Sequence, residues 1–163
     1  MNRLWLALAL LGGLLLAGCQ SRPKPPEDYV PLVARFFLEA RPGETGAAVT
    51  LPVSGVTITV APKPAFSEYD VANAEVAQVE LGRCLLIQLT PSATRDLYRQ
   101  SVGALGRRLV LSLNDTFVGA RRIEAAMGDG VVLVFVELPD DQLPALVERL
   151  KRTSADLAAK KSR

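Results

Sequence analysis

Side chains that could carry out enzyme chemistry are scarce in this sequence. It contains no histidine, which removes the commonest general base, the usual activator of a nucleophile and the commonest zinc ligand. It also lacks the GxSxG, GxGxxG and phosphate-loop patterns. Asp140 and Asp141 are neighbouring carboxylates, but they follow Pro139 at the start of a helical pattern, which favours capping over catalysis. We therefore expect a protein that is not an enzyme and that has no cofactor and no metal.

The two cysteines of the chain stand in different surroundings. Cys84 lies in a predicted strand between Arg83 and Leu85, and no histidine is present to activate it. A buried core thiol is therefore the favoured interpretation, and a reactive or intermolecular cysteine is the alternative. Cys19 instead ends a long apolar run near the N-terminus.

The first nineteen residues have the pattern of a targeting signal. Arg3 precedes an apolar run over residues 4–16, which is short for a membrane span and fits the hydrophobic part of a signal peptide. The run is followed by a motif that is similar to the lipobox of bacterial lipoproteins, namely Leu16, Ala17, Gly18 and Cys19. This resemblance implies removal of residues 1–18 and acylation of Cys19, with palmitate among its chains. The alternative is an ordinary signal peptide with an incidental cysteine.

The residues after Cys19 predict where the protein is held. Gln20, rather than Asp, follows the cysteine, and by resemblance to Gram-negative sorting this favours the outer membrane over the inner membrane. Residues 19–28 are polar and rich in proline, and their nine residues after Cys19 would form a tether with a reach of roughly 28 Å. We therefore expect a periplasm-facing protein of the cell envelope, bound to the lipid bilayer through acylated Cys19.

The elements that must position the remaining side chains are organised around the stretch from Arg83 to Asn114. Its pattern predicts a strand, a helix that begins at Thr90-Pro91, and a second strand that ends at the turn signal Asn114-Asp115. Gly106 suits the position just after the helix. The helical stripe predicted to face the core comprises Leu97, Ser101, Val102 and Leu105.

The flanking sequence supplies further strands and helices. The predicted elements are a helix over 29–40, hairpin strands over 47–53 and 56–60, a strand over 74–81, a strand over 117–124, a central strand over 131–136, and a last helix that opens at Pro139. We therefore predict an α+β domain over residues 29–158, with a mixed β-sheet, helices packed mainly on one face and a central strand–helix–strand unit. Residues 159–163 are predicted to form a basic tail.

Three surface features are candidates for contact with a partner. The formal net charge is only +2 at pH 7, so no nucleic acid partner is expected. Two arginine pairs are predicted to form a cationic patch on adjacent strands, or else solvated strand ends, and they are Arg107, Arg108, Arg121 and Arg122. Tyr69-Asp70 forms a recognition loop or a structural turn. The hairpin over 47–60 presents an open edge for peptide addition, or a well-paired one.

From about Val49 onwards, the order of motifs resembles the head subdomain of the first periplasmic domain of SecD, the preprotein-translocase accessory subunit. The motifs are Val53-Ser54 to Val60, Asp70 to Val76, Leu89-Thr90-Pro91, Gly106 to Asp115, Phe117 to Ala120, and Pro139-Asp140-Asp141. The sequence departs from that pattern at Arg121, where the family usually has Pro, and at Asn114-Asp115, which replaces Asp-Gly. The resemblance implies a fold and contact with polypeptides rather than a transport activity.

Together these features predict a membrane-anchored envelope lipoprotein that acts as a non-enzymatic protein-binding or accessory module, linked to secretion or envelope assembly. An envelope protein or an unfolded chain is the expected partner. One alternative is binding or processing of glycan or a small ligand, which requires a concave pocket lined by acidic or aromatic residues. A purely structural subunit of a larger complex is another alternative.

Overall fold

Eight β-strands and two α-helices make up residues 29–161, the part of the chain that the computed structural model describes. The strands are β1 (Ala34–Leu38), β2 (Ala47–Thr50), β3 (Thr57–Val60), β4 (Val71–Val79), β5 (Gly82–Leu89), β6 (Arg108–Leu113), β7 (Thr116–Arg122) and β8 (Val131–Val134). The helices are α1 (Pro91–Val102) and α2 (Leu143–Lys161), and short 3-10 turns cover Glu68–Asp70 and Asp140–Gln142. The predicted signal peptide and tether, with Leu16, Ala17, Gly18 and Cys19, lie outside the described residues, as do residues 162–163.

These elements confirm the predicted α+β class. The described strands form antiparallel sheets with the orders β1-β6-β7, β2-β3 and β4-β5-β8. Single bridges connect them, because Glu39 pairs with Val60 and Gly119 of β7 pairs with Val136 just beyond β8. Only glycine fits at position 119, since a Cβ atom there would clash with the carbonyl oxygen of Phe135.

β6 separates two hydrophobic cores because its side chains alternate between two faces. Leu109 and Leu111 belong to the larger core, which also receives the buried side chains of α1 and α2. Val110 points the other way and packs with residues of the β2–β3 hairpin, among them Ile58 and Val60. Both helices therefore serve one core, in agreement with the predicted packing of the helices on one face.

The predicted helix over 29–40 is wrong, because this segment contains β1. Its five residues pair antiparallel with β6, and the two phenylalanines point to opposite sides. Phe36 is fully buried in the larger core, whereas Phe37 packs on the other core, with its ring 5.3 Å from that of Phe117 in an edge-to-face arrangement. Adjacent apolar residues suit a strand that is covered on both faces, and only the non-local pairing with β6 distinguishes this from a helix.

The predicted apolar stripe of α1 is half right. Thr90 caps the helix as expected, because its Oγ1 accepts a hydrogen bond from the Ala93 N–H. The buried residues of α1 are Ala93, Leu97 and Ser101, whereas Val102 is 53% exposed and Leu105 is 57% exposed. The helix stops at Val102 with Gly103 at its C-cap. Leu105 and Gly106 therefore lie in the following turn rather than on the helix, and Gly106 adopts a φ of 82° there.

The tight turns agree with the sequence more closely than the strand positions do. Asn114 and Asp115 both have positive φ angles, 46° and 66°, as a two-residue turn of the primed type requires. The run over 131–136, however, is not central in its sheet. β8 ends at Val134 and lies at one side of β5, which is the middle strand.

Candidate functional site

An apolar groove lies where the C-terminal half of α2 passes the start of β4, and we call it the β4 groove. Its volume is about 420 Å³. The residues that line it are Glu68, Tyr69, Val71, Ala72, Thr90, Ser154, Leu157, Ala158 and Lys161. Small side chains at Ala72, Ser154 and Ala158 leave the space open. Such a groove is large enough to receive apolar side chains of a partner.

The position of α2 beside β4 is set by apolar packing and by one hydrogen bond of its buried residues. Val147 and Leu150 are buried in the larger core together with Val71 and Ala74 of β4. Thr153 connects the helix to the chain before β1, since its Oγ1 accepts a hydrogen bond from the Leu32 N–H at 3.0 Å. The half-buried Leu157 on the next turn therefore borders the groove instead of the core.

β4 itself offers an open edge next to this groove. It has nine residues, and among the described strands it pairs with β5 alone. Alternate residues of such an edge direct their backbone N–H and C=O groups away from the sheet. Natural edges are often protected by lysine or proline, but β4 contains neither and carries one charge, at Glu75.

The register of β4 is broken at the point where it meets the groove. The pairing with β5 shifts between Val71 and Asn73, so Ala72 is the extra residue of a bulge, and it lines the groove. Bulges occur often next to binding sites because they redirect side chains and end regular pairing. The edge and the groove therefore form one continuous surface.

Glu68, the acidic residue that lines the groove, forms an ion pair within the protein. Arg35 of β1 donates from Nε to Glu68 Oε2 at 2.7 Å and from Nη2 to Glu68 Oε1 at 3.2 Å. These hydrogen bonds hold the pKa of Glu68 below its ordinary value, although partial burial opposes the shift. Lys161, at the rim, has no ion-pair partner among the described residues. Within residues 29–161, the groove thus presents an unpaired cation beside apolar walls.

The two residues of the predicted recognition loop have separate roles. Asp70 is structural, because its Oδ2 accepts hydrogen bonds from the N–H and the hydroxyl of Ser67 at 2.8 and 2.9 Å. Tyr69 between them is exposed and lines the β4 groove. The turn therefore holds the tyrosine ring at the rim of the groove.

The β2–β3 hairpin also has an edge that no other described strand covers, on β2. That edge is only four residues long. Its tip is fixed by Glu137, whose Oε2 accepts hydrogen bonds from the N–H groups of Val53 at 2.6 Å and Ser54 at 2.9 Å. Hydrogen bonds from Ser54, and more weakly from Val53, hold the pKa of Glu137 below its ordinary value. The predicted open edge exists, but β4 offers the longer one.

The two arginine pairs lie at the neighbouring ends of two adjacent strands, with Arg107 directly before the first residue of β6. Arg108 at the start of β6 is opposite Arg122 at the end of β7, and Leu109 is opposite Arg121. We call Arg107, Arg108, Arg121 and Arg122 the arginine patch. Whether they contact a partner remains a prediction.

Most of the charge in the arginine patch is satisfied internally. Arg107 donates from Nε to the Glu39 carbonyl oxygen at 2.7 Å and donates a second bond from Nη2, and it lies 3.7 Å from Glu44. Arg108 forms an ion pair with Glu39 at 3.1 Å. Arg121 donates to the Leu133 carbonyl oxygen at 3.2 Å. Among the described residues, Arg122 alone of the four is exposed without an ion pair or hydrogen bond of its side chain.

A second, more polar pocket of about 380 Å³ lies beside Arg121 and Arg122. The turn that leads into β8 forms its other wall, with Glu124 and Asp129 among the lining residues. The Nε atom of Arg121 is buried and has no hydrogen-bond partner in the described part of the chain. Both signs of charge are therefore present in this pocket.

Cys84 is buried in β5, as predicted. Burial raises the pKa of its thiol, which the positive charge of Arg121 only partly offsets. A buried thiol of raised pKa is a poor nucleophile.

Two features are absent from residues 29–161. No three His, Cys, Asp or Glu side chains come together there to hold a metal ion. No helix within the same range has the length and apolar character needed to span a bilayer.

Comparison with known proteins finds similarity in structure and none in sequence. The chain matches no protein-family model and no curated protein. A solved structure of SecDF, described as a membrane component that enhances protein export, superposes with a TM-score of 0.57 at 15% identity, over 76% of this chain and 63% of that one. A crystal structure of SecDF in a super-membrane-facing form has the same TM-score at 16% identity, over 74% of this chain and 18% of that one.

This chain therefore spans less than two thirds of either SecDF chain. At these identities the likeness concerns the fold. The resemblance to a periplasmic domain of SecD, expected from short motifs after Val49, is confirmed at that level.

The β4 groove is not evident from the sequence. The sequence indicates a loop or turn at Tyr69-Asp70 and a last helix that opens at Pro139, but neither pattern indicates a space between the two. The groove depends on Ala72 meeting Ser154 and Ala158, which are more than eighty residues away along the chain. The small residues that flank Leu157 on α2 are the one local signal that a space was left there.

Proposed function

We propose that this protein is a non-enzymatic accessory module of the cell envelope that binds extended polypeptide segments along β4. The observation that supports this most is the nine-residue open edge of β4, with its bulge at Ala72 beside an apolar groove of about 420 Å³. The bound segment would add a strand to β4 through backbone hydrogen bonds and place an apolar side chain in the groove.

This mode of binding suits unfolded or partly folded chains. Backbone hydrogen bonds are the same for every sequence, so affinity requires only an extended segment with an apolar residue at the correct position. Lys161 at the rim, which has no ion-pair partner within residues 29–161, would favour segments that also carry a carboxylate. The likeness to SecDF supports a role in protein export, since one of those structures is described as enhancing it.

The cellular setting is part of the same proposal. The lipobox-like motif that ends at Cys19 supports acylation and attachment to the envelope membrane on the periplasmic side. Gln20, the residue after the cysteine, supports location of the anchored protein at the outer membrane. In that position the module would meet chains that have just been exported. An envelope protein that presents an extended segment would use the same surface.

A matched pair of variants tests the groove. Ala158→Trp fills it, whereas Ala145→Trp places the same side chain on an exposed position at the other end of α2. Burying one large apolar side chain contributes about 1.5–3 kcal/mol, so we expect Ala158→Trp to lower the affinity at least tenfold, about 1.4 kcal/mol. Fluorescence anisotropy with a labelled, reduced and alkylated polypeptide measures it, and the natively folded form of that polypeptide is the ligand control. Equal affinity of both variants and the parent protein would refute binding in the groove.

The polar pocket beside Arg121 supports a second candidate, the binding of a small ligand or a glycan fragment. It combines two arginines with Glu124 and Asp129 in about 380 Å³. Calorimetric titration with cell-wall glycan fragments tests this candidate. Binding that is lost in Arg122→Ala and kept in Ala158→Trp would assign the ligand to this pocket and separate the two proposals.

A further inference from the structure

Three large apolar side chains are exposed to solvent on the outward face of α1 and in the turn after it. Tyr98 is 52% exposed, Val102 is 53% exposed and Leu105 in the following turn is 57% exposed. Tyr98 and Val102 are four residues apart, so they share one side of the helix, and Leu105 is exposed in the turn that follows it. We call these three residues the α1 stripe. It is not part of the core, because Ala93, Leu97 and Ser101 supply the buried face of α1.

Arginines surround this stripe. Arg95 and Arg99 are exposed on the same side of α1. At the C-terminal end, Arg41 donates a hydrogen bond from Nη2 to the Gly103 carbonyl oxygen at 3.3 Å. Arg122 approaches the same end, since a Cβ atom at Gly106 would lie 3.7 Å from its Nη2 atom.

The acidic residues near the stripe only partly neutralise these arginines. Asp96 pairs with Arg99, and Glu44 lies 3.9 Å from Arg41. Arg95 and Arg122 have no ion-pair partner among the described residues. The face is therefore a row of apolar side chains, one of them a tyrosine, with a surplus of positive charge. This combination is typical of segments that lie in the interface of an anionic bilayer.

The place where the described chain begins is compatible with such a contact. Asn114 donates a hydrogen bond from Nδ2 to the Pro31 carbonyl oxygen at 3.3 Å, so the chain enters the domain at the end of β6 that is remote from Leu105. The six residues of β6 span about 20 Å. The tether predicted for residues 19–28 reaches roughly 28 Å, which is long enough for Cys19 and the α1 stripe to meet one membrane together.

We propose that the α1 stripe docks on the surface of the anionic phospholipid bilayer that holds Cys19. Tyr98, Val102 and Leu105 enter the interface, while Arg95 and Arg122 meet lipid phosphates. Such a contact is weak alone, but attachment at Cys19 raises the effective concentration of the surface. Docking would orient the domain on the membrane and is independent of the polypeptide site on β4.

A tryptophan reporter tests this, because the only tryptophan in the sequence, Trp5, precedes Cys19. The chain from Cys19 onwards, which includes every described residue, is coupled through Cys19 to maleimide lipids. Selective coupling is expected because Cys84 is buried, and the design does not depend on acylation in cells. Val102→Trp places the reporter in the stripe, and Gln100→Trp places it on an exposed flank about 160° around α1.

On vesicles of phosphatidylethanolamine with phosphatidylglycerol, we expect a blue shift and quenching by brominated lipids for Val102→Trp, at least threefold stronger than for Gln100→Trp. Adding Arg95→Gln and Arg122→Gln should reduce that quenching by half or more. Quenching that is absent, or equal for both reporters, would overturn the proposal. If Val102→Trp is unquenched and crosslinking at position 102 captures one envelope protein in cells, the stripe is a protein interface instead.

Discussion

The arginine patch and the β4 groove differ in how far their interacting groups are already satisfied within the protein. Three of the four arginines in the patch are engaged, with Glu39, Glu44 or the Leu133 carbonyl oxygen. In the groove, the outer edge of β4 pairs with no described strand, and Lys161 has no ion-pair partner among the described residues. Clustered charge in a sequence often serves the fold, whereas an unpaired strand beside an apolar space is a surface that remains available.

If the charges of the arginine patch serve the fold, the patch must contribute to stability. Arg107 is half-buried and binds the Glu39 carbonyl oxygen through two N–H groups. Hydrogen bonds that involve a charged group contribute about 1.5–3 kcal/mol, so we expect Arg107→Ala to lower the free energy of unfolding by about that amount.

Urea denaturation measures this effect, and Arg122→Ala is the matched control. Because Arg122 is exposed and unpaired among the described residues, its removal should change the free energy of unfolding by about 0.5 kcal/mol or less. Equal effects of the two substitutions would show that the patch is not an internal network.

Acid should weaken the ion pair in which Arg35 neutralises the negative charge of Glu68 beside the groove. The pKa of Glu68 lies below its ordinary value of 4.5 in the folded state because of Arg35. The stabilisation is therefore complete above about pH 4.5 and is lost as the pH falls through the lower, folded pKa.

Glu68→Gln should be less stable than the parent protein at neutral pH, and its stability should fall less steeply with acid. Thermal unfolding across this pH range measures both properties, and Glu75→Gln on the exposed side of β4 is the control. An unchanged acid profile in Glu68→Gln would indicate that the pair does not persist in solution.

Local chemistry explains which parts of the fold could be predicted from the sequence. Thr90-Pro91 and Asn114-Asp115 determine their own backbone conformation, so the start of α1 and the turn after β6 were found correctly. Phe36 and Phe37 carry no such local information. Their segment is a strand because β6 lies beside it, and a single sequence does not show that pairing.

The candidate site was less accessible to prediction than the fold. The adjacency of Arg108 and Arg122 followed from two strands joined by a tight turn. The neutralisation of the patch by Glu39 and Glu44 did not, because Glu39 belongs to the segment that was wrongly predicted as a helix over 29–40, and Glu44 follows that segment. The β4 groove was missed because it forms only when α2 packs beside β4, and this packing is not visible in a single sequence.

Hydrogen–deuterium exchange of the protein, alone and with an excess of an unfolded polypeptide, tests the central claim most directly. We predict slower exchange along β4, residues 71–79, and in the C-terminal half of α2, with little change over residues 107–122. Ala158→Trp should abolish the protection, and Ala145→Trp should retain it. Protection confined to the arginine patch, or none along β4, would contradict the proposal that β4 is the polypeptide-binding surface.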